Sequence, residues 1–311
     1  MSTARSALFL IIASQLVSLV PTTIASPGQL GIAQAQPRWN VSGTLSSLSR
    51  RDSAGYNNPN ATGGSMLTIV NGTYPAGLGE PLNVILSANS NKDVLVKSAD
   101  DGGFLNYMLS TFMGEECLGQ HLGDDQMANL GDGQGNHTQV EELRWDFGNP
   151  YIGTCQETFQ GGLHLRYWVQ STTGAYFMAT SIEVGASAGH DIVSDGYNLG
   201  RDYLVGNLTG TQVESWNVTN QTTYSGTSSH NNYTYRTDVQ YVSGLLLNSS
   251  DGINHYLTVE TSTEPAIDGL VAVLTVDILS RPTSSAFASL SSVSFGATLL
   301  VAGIASVLLL V

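Results

Sequence analysis

A chain of 311 residues, 41% of them apolar, is long enough for one sizeable domain with a real core. It carries 25 acidic against 11 basic residues, a net charge of −14. All 25 acidic residues lie between Asp52 and Ser280 with only Lys92, Lys97, Arg144, Arg166, Arg201 and Arg236, a net −19, so this stretch repels phosphate backbones and anionic lipid heads and excludes nucleic acid as a partner.

Residues 1–25 read as a signal peptide. Arg5 supplies the positive start, Ala7 to Val20 the apolar run, and Thr23-Ile24-Ala25 the small residues of a cleavage site. The run is shorter than the roughly 20 residues of a spanning helix, which disfavours an uncleaved membrane helix. Residues 26–58 lack apolar periodicity and are rich in Ser, Gln, Asn, Gly and Pro, the composition of a disordered linker or pro-segment. Its Arg50-Arg51 pair suggests kexin-type trimming.

A globular α+β domain is expected over 59–280. Met66 to Val70 and Leu82 to Ala88 are short β-branched runs bounded by Gly, Pro and Asn, which predicts strands. Phe104, Leu105, Met108, Leu109, Phe112 and Met113 recur at helical spacing after Asp100-Asp101, whose carboxylates suit a helix N-terminus. Gly114 to Gln139 reads as a long polar loop. Leu143 to Phe147, Cys155 to Phe159, Leu163 to Gln170 and Ala175 to Glu183 read as strands, the last two a hairpin around Ser171 to Gly174. In the run from Leu163, the alternation sets Leu163, Leu165, Tyr167 and Val169 on a core face and His164, Arg166 and Trp168 together on the other. Asp195 is placed to N-cap a second helix with Leu199, Tyr203, Leu204 and Leu208 on one side. Tyr233 to Leu247, Tyr256 to Glu260 and Val271 to Leu279 return to strands. The sum is a single domain dominated by mostly antiparallel β-sheet with two principal helices.

The end of the chain reads as a lipidation signal. Residues 281–294 hold Ser284-Ser285-Ala286 as the small-residue site and a short spacer, and residues 295–311 are uncharged and apolar. That order matches a GPI signal with Ser284 as attachment point, the alternative being a tail-anchored span. Nine Asn-X-Ser/Thr sequons, at Asn40, Asn60, Asn71, Asn136, Asn207, Asn217, Asn220, Asn232 and Asn248, exceed chance and argue for an extracellular, glycosylated surface. Cys117 and Cys155, the only cysteines, pair as one disulfide in an oxidising compartment.

Histidine with a carboxylate supplies acid–base chemistry, and arginine binds an anionic group. His164, Arg166, His190, Asp191, Arg201 and Asp202 therefore form the candidate site, with ion pairing to neighbouring strands as the competing reading. His121 beside Cys117, Glu115, Glu116 and Asp124 has no metal-ligand spacing, and Asp132-Gly133-Gln134-Gly135-Asn136 lacks the alternating ligands of a calcium loop. No cofactor or metal motif, nucleophile elbow or phosphate-cradling loop is present.

Pro81-Leu82-Asn83-Val84-Ile85, His164-Leu165-Arg166-Tyr167-Trp168 and His190-Asp191-Ile192, followed by Arg201-Asp202-Tyr203-Leu204-Val205, resemble in order motifs of the LssY C-terminal-type domain. The core is also similar to secreted fungal glycoproteins. The resemblance covers Leu82 to Leu208 and points to His164, Arg166, His190, Arg201 and Asp202. Bacterial relatives joined to membrane phosphatase-like modules hint at lipid or envelope biology. This chain lacks such a module, adds the Cys117–Cys155 loop and has Asp191 where relatives tend to carry a second histidine. The expectation is a GPI-anchored cell-surface or wall glycoprotein binding a carbohydrate or small polar ligand. The alternatives are an extracellular hydrolase of phosphate or acyl esters and a purely structural coat protein.

Overall fold

The computed structural model describes residues 54–119 and 124–283. The signal peptide, Asn40, Arg50-Arg51, His121, Ser284 and the apolar tail lie outside them. The elements in chain order are β1 (Val84–Leu86), α1 (Phe104–Leu109), β2 (Met113–Glu115), β3 (Met127–Asn129), β4 (Asn136–Thr138), β5 (Glu141–Trp145), α2 (Gly153–Gln160), β6 (Gly161–Val169), β7 (Tyr176–Val184), α3 (Gly196–Thr209), β8 (Thr223–His230), β9 (Tyr233–Val242), β10 (Asn248–Ser249), α4 (Tyr256–Val259), β11 (Ile267–Asp268) and β12 (Val271–Ser280).

Eight of the strands form one sheet in the order β2-β5-β6-β7-β1-β12-β9-β8. Every pairing in it is antiparallel except β1 with β12, which run parallel with Val84 opposite Ala272. The domain is α+β and mostly antiparallel, as the alternating runs predict. The β6–β7 hairpin is the longest continuous match to expectation, nine registered pairs from Gly161 opposite Val184 to Val169 opposite Tyr176.

Strand alternation feeds two cores, one on each side of the sheet. Val84, Leu165, Tyr167, Met178, Leu274 and Val276 join Phe104 and Met108 of α1 and Leu204, Val205 and Leu208 of α3 in the first. Ile85, Trp168, Phe177, Ala179 and Val273 join Tyr197, Ile253 and Val259 in the second. The face of β6 read as presenting His164, Arg166 and Trp168 is therefore buried, with Trp168 wholly enclosed in the second core.

Several local expectations are corrected. Cys155 to Phe159 is not a strand but lies within α2, and Tyr256–Val259 is a single helical turn entered through His255 at a left-handed φ of 58°. Gly114 to Gln139 is not one loop, since β3 and β4 form a small hairpin within it. Met66 to Val70 makes only isolated bridges, Leu67 with Pro81 and Ile69 with Met127. Residues 54–58 are packed rather than loose: Gly55 O accepts from the Ala88 amide, the Asn57 amide donates to Gln170 Oε1 at 2.8 Å, and Tyr56 meets the Phe177 ring edge-on. Gly55 has a φ of 76°, and a Cβ there would collide with Ser87 Oγ.

Helix α1 ends at Leu109 with Ser110 as its C-cap, short of the expected Met113, and Gly103 rather than an aspartate precedes it. Asp195 takes the residue before α3 at a left-handed φ of 58°, which turns its carboxylate away from the helix amides; it accepts instead from Asn198 Nδ2 at 2.7 Å. Helix α3 lies close on β7, where a Cβ on Gly200 would stand 2.6 Å from Ser181 Cα. Only a glycine allows that approach.

Candidate functional site

The registers of β5, β6 and β7 stack charged side chains on one side of the sheet. Arg166 stands opposite Glu142, His164 lies between Arg144 and Ser181, and Glu183 is opposite Gly162. Gly162 has no side chain, and the space beside it admits Glu157 from α2. All of these side chains are buried or nearly so.

Glu142 is the hub. Its Oε1 meets Arg144 Nη2 and, at 3.0 Å, His164 Nε2; its Oε2 meets Arg166 Nη1 at 2.5 Å. Arg144 Nη1 also reaches Glu157 Oε2 at 2.8 Å and Glu183 Oε2 at 3.5 Å. Arg166 Nη1 donates to Gln139 Oε1 at 2.9 Å. His164 Nδ1 lies 3.3 Å from Glu183 Oε1. Three carboxylates thus face two guanidiniums, and a proton on His164 balances the cluster. Burial alone would lower the His164 imidazole, but Glu183 and Glu142 outweigh it and raise its pKa. Burial likewise pushes Glu142 up, yet His164, Arg166 and Arg144 hold it down at about 2. Glu157 is shifted upward, chiefly by burial.

One end of this cluster forms a wall of a cleft of about 370 Å³. Arg144, Arg166 and Glu183 reach it from the sheet, Glu80, Asp124 and Gln126 from the loops before β1 and β3, and His190, Asn254 and His255 from the segments that precede α3 and α4. His190 follows Gly189, both left-handed, and its Nδ1 lies 3.5 Å from Glu183 Oε2. His164 and His190 therefore share the two oxygens of Glu183. Asp191 does not serve His190. Its Oδ1 accepts from the Ile192 amide and Thr258 Oγ1 and lies 2.6 Å from Nδ1 of His255, itself left-handed. Glu80 is 7% exposed and has no cationic partner among the described residues.

Arg201 and Asp202 leave the candidate site. Arg201 is fully buried with all five N–H groups committed: Nε and Nη2 to Asp202 at 2.7 and 2.9 Å, Nη1 and Nη2 to Asp268 at 2.7 and 2.9 Å, and Nη1 to Leu270 O. The guanidinium stacks over the Tyr241 ring, whose hydroxyl donates to Asp202 Oδ1 at 2.7 Å. A guanidinium with every donor spent inside the fold has none left for a ligand. This network fastens α3 to β9 and β11.

Sequence reasoning found His164, Arg166, His190 and Asp191 but missed Glu80, Glu142, Arg144, Glu157, Glu183 and His255. Charged residues inside the strand-like run Glu141 to Trp145 were the available signal for Glu142 and Arg144. Nothing local marks His255, which is 64 residues from its partner Asp191.

The disulfide forms as expected, Cys117 to Cys155, across a sequence separation of 38, and ties the segment after β2 to α2. Of the eight sequons within the described residues, Asn60, Asn71, Asn136, Asn217, Asn220, Asn232 and Asn248 are exposed. Asn207 sits in α3 with its Nδ2 buried, which makes it the poorest acceptor of the eight. Compared with models of protein families, with curated proteins and with solved structures, the chain matches none.

Proposed function

We propose that this chain is a secreted, N-glycosylated, GPI-anchored surface protein whose cleft binds a small neutral ligand rich in hydrogen-bond donors, a carbohydrate or comparable polyol. The observation that carries this reading is the acceptor-lined wall of the cleft. Glu80, Asp124 and Glu183 offer carboxylates, and Gln126 and Asn254 offer amide oxygens. Glu80, nearly buried and without a cationic partner among the described residues, accepts a hydrogen bond when a hydroxyl donates to it. The same carboxylates disfavour a phosphorylated ligand. The address rests on the sequence at the two ends and on the seven exposed sequons.

Calorimetric titration with neutral mono- and oligosaccharides tests the binding. Millimolar affinity or tighter is expected for at least one, and E80Q should weaken it about tenfold by loss of a charge-assisted hydrogen bond. Absence of binding at millimolar ligand, or an indifferent E80Q variant, removes the reading. Release of the protein from cells by phosphatidylinositol-specific phospholipase C, and a mass loss on treatment with N-glycosidase, test the anchor and the glycans. Kinship with the LssY C-terminal-type domain belongs to the same reading on the residues that carry it. A member of that family with a different strand order would remove it.

A further inference from the structure

We propose that this cleft also hydrolyses a neutral acyl ester of its polyol ligand, with His255 as the general base and Asp191 as the residue that positions it. The proposal rests on the binding reading above and adds a reaction to it. Its ground is the pair His255–Asp191. A carboxylate 2.6 Å from Nδ1 holds the ring proton on that nitrogen and leaves Nε2 as the basic one. Thr258 Oγ1 donates to the same Asp191 oxygen and the Ile192 amide fixes it further, so the carboxylate is oriented from three sides. His255 lines the cleft, is about a third exposed, and is held in a left-handed conformation uncommon for a residue with a side chain. Such strain is often kept where a side chain must be aimed.

The chemistry follows from what lines the cleft. Among the described lining residues there is no serine, threonine or cysteine to act as nucleophile, so water attacks. The water oxygen forms a bond to the acyl carbon while His255 Nε2 takes its proton. The carbonyl becomes an oxyanion, which Arg166 at 7% exposure meets from the wall of the cleft. Collapse breaks the bond to the alkoxide of the polyol, and that oxygen recovers the proton from His255. Ester and water become carboxylic acid and alcohol, and no oxidant or further reactant is needed. An acyl ester fits better than a phosphate ester because it enters the acidic cleft uncharged and develops negative charge only during the reaction.

The test is acetate release from 4-nitrophenyl acetate and from an O-acetylated oligosaccharide by the full secreted chain, with titration of the unesterified oligosaccharide in parallel. The expected result is turnover above buffer that falls about 100-fold in H255Q and about tenfold in D191N. Both variants should keep the parent's melting temperature, which separates lost turnover from lost fold. D191N should in addition move the acidic limb of the kcat/KM profile, which a merely structural residue would not. Wild-type release no faster than buffer, or full activity in H255Q, overturns the proposal. If the oligosaccharide still binds, the binding reading stands while the hydrolytic one falls; if it does not bind, both fall.

Discussion

The two histidines that share Glu183 differ in what surrounds them. His164 is enclosed, with Glu142 on one ring nitrogen and Glu183 on the other, whereas His190 is a third exposed at the mouth of the cleft. Truncating His164 leaves the buried cluster with three carboxylates against two guanidiniums. His164→Ala should therefore lower stability by about 1–3 kcal/mol, several degrees in melting temperature, while His190→Ala stays within about 0.5 kcal/mol of the parent. Removing the hub is more severe. Glu142→Ala removes the carboxylate shared by three cations, leaves Arg166 with none among the described residues, and should destabilise by about 3–5 kcal/mol. Thermal unfolding of the three variants side by side checks the ranking, and equal melting of His164→Ala and the parent would contradict it.

Helix α2 shows how an element can be invisible in sequence and still shape the site. Gly-Thr-Cys-Gln-Glu-Thr-Phe-Gln contains too few apolar residues to reveal a helical period, and its Phe159 faces solvent. What holds it is external: the disulfide from Cys155, the Glu157–Arg144 ion pair, and the side-chain-free Gly162 beneath it. Replacing both cysteines by serine should cost about 3–4 kcal/mol by loss of loop closure and should also weaken ligand binding, because Arg144 loses one of its carboxylates with α2. Denaturant melts and titration of the double variant measure both. The strands were legible where they alternate, as in β6 and β9, or hold a run of apolar residues, as in β7 and β12. β8 was not, since its Ser, Thr and Gly residues carry no apolar signal and Gly226 is there to admit Thr209 O of α3. Site residues were missed, and others wrongly included, for a related reason. Arg201 and Asp202 read like a ligand clamp, and only the fold brings Asp268 and Tyr241 to spend them; His255 stands just before a run that reads as a strand, and only the fold brings Asp191 to its ring.

For the whole molecule the buried charges set a pH window. The raised His164 contributes stability that is fully present below its ordinary value of 6.5 and is lost as pH rises through its folded-state value. Glu141, pushed up to about 7 by burial and by Glu115, contributes fully below its ordinary 4.5 and loses that contribution as the pH rises to about 7. Glu142, held at about 2, contributes above 4.5 and loses its effect as pH falls. Melting temperature should accordingly be highest near pH 4.5, fall as the pH drops toward about 2, and decline as it rises through about 7 and beyond. A maximum above pH 8 would contradict these assignments. The sheet also ends in β8, which pairs with β9 on one side and has no main-chain hydrogen bond on the other among the described residues. It carries none of the lysines, prolines or bulges that blunt such edges. Asn220 precedes it and Asn232 lies in the turn that follows, so glycans there would flank the open edge at both ends. Sugar would then serve as a colloidal spacer: enzymatic deglycosylation should turn a monodisperse solution into one whose light scattering grows with concentration, as β8 edges zip together between molecules.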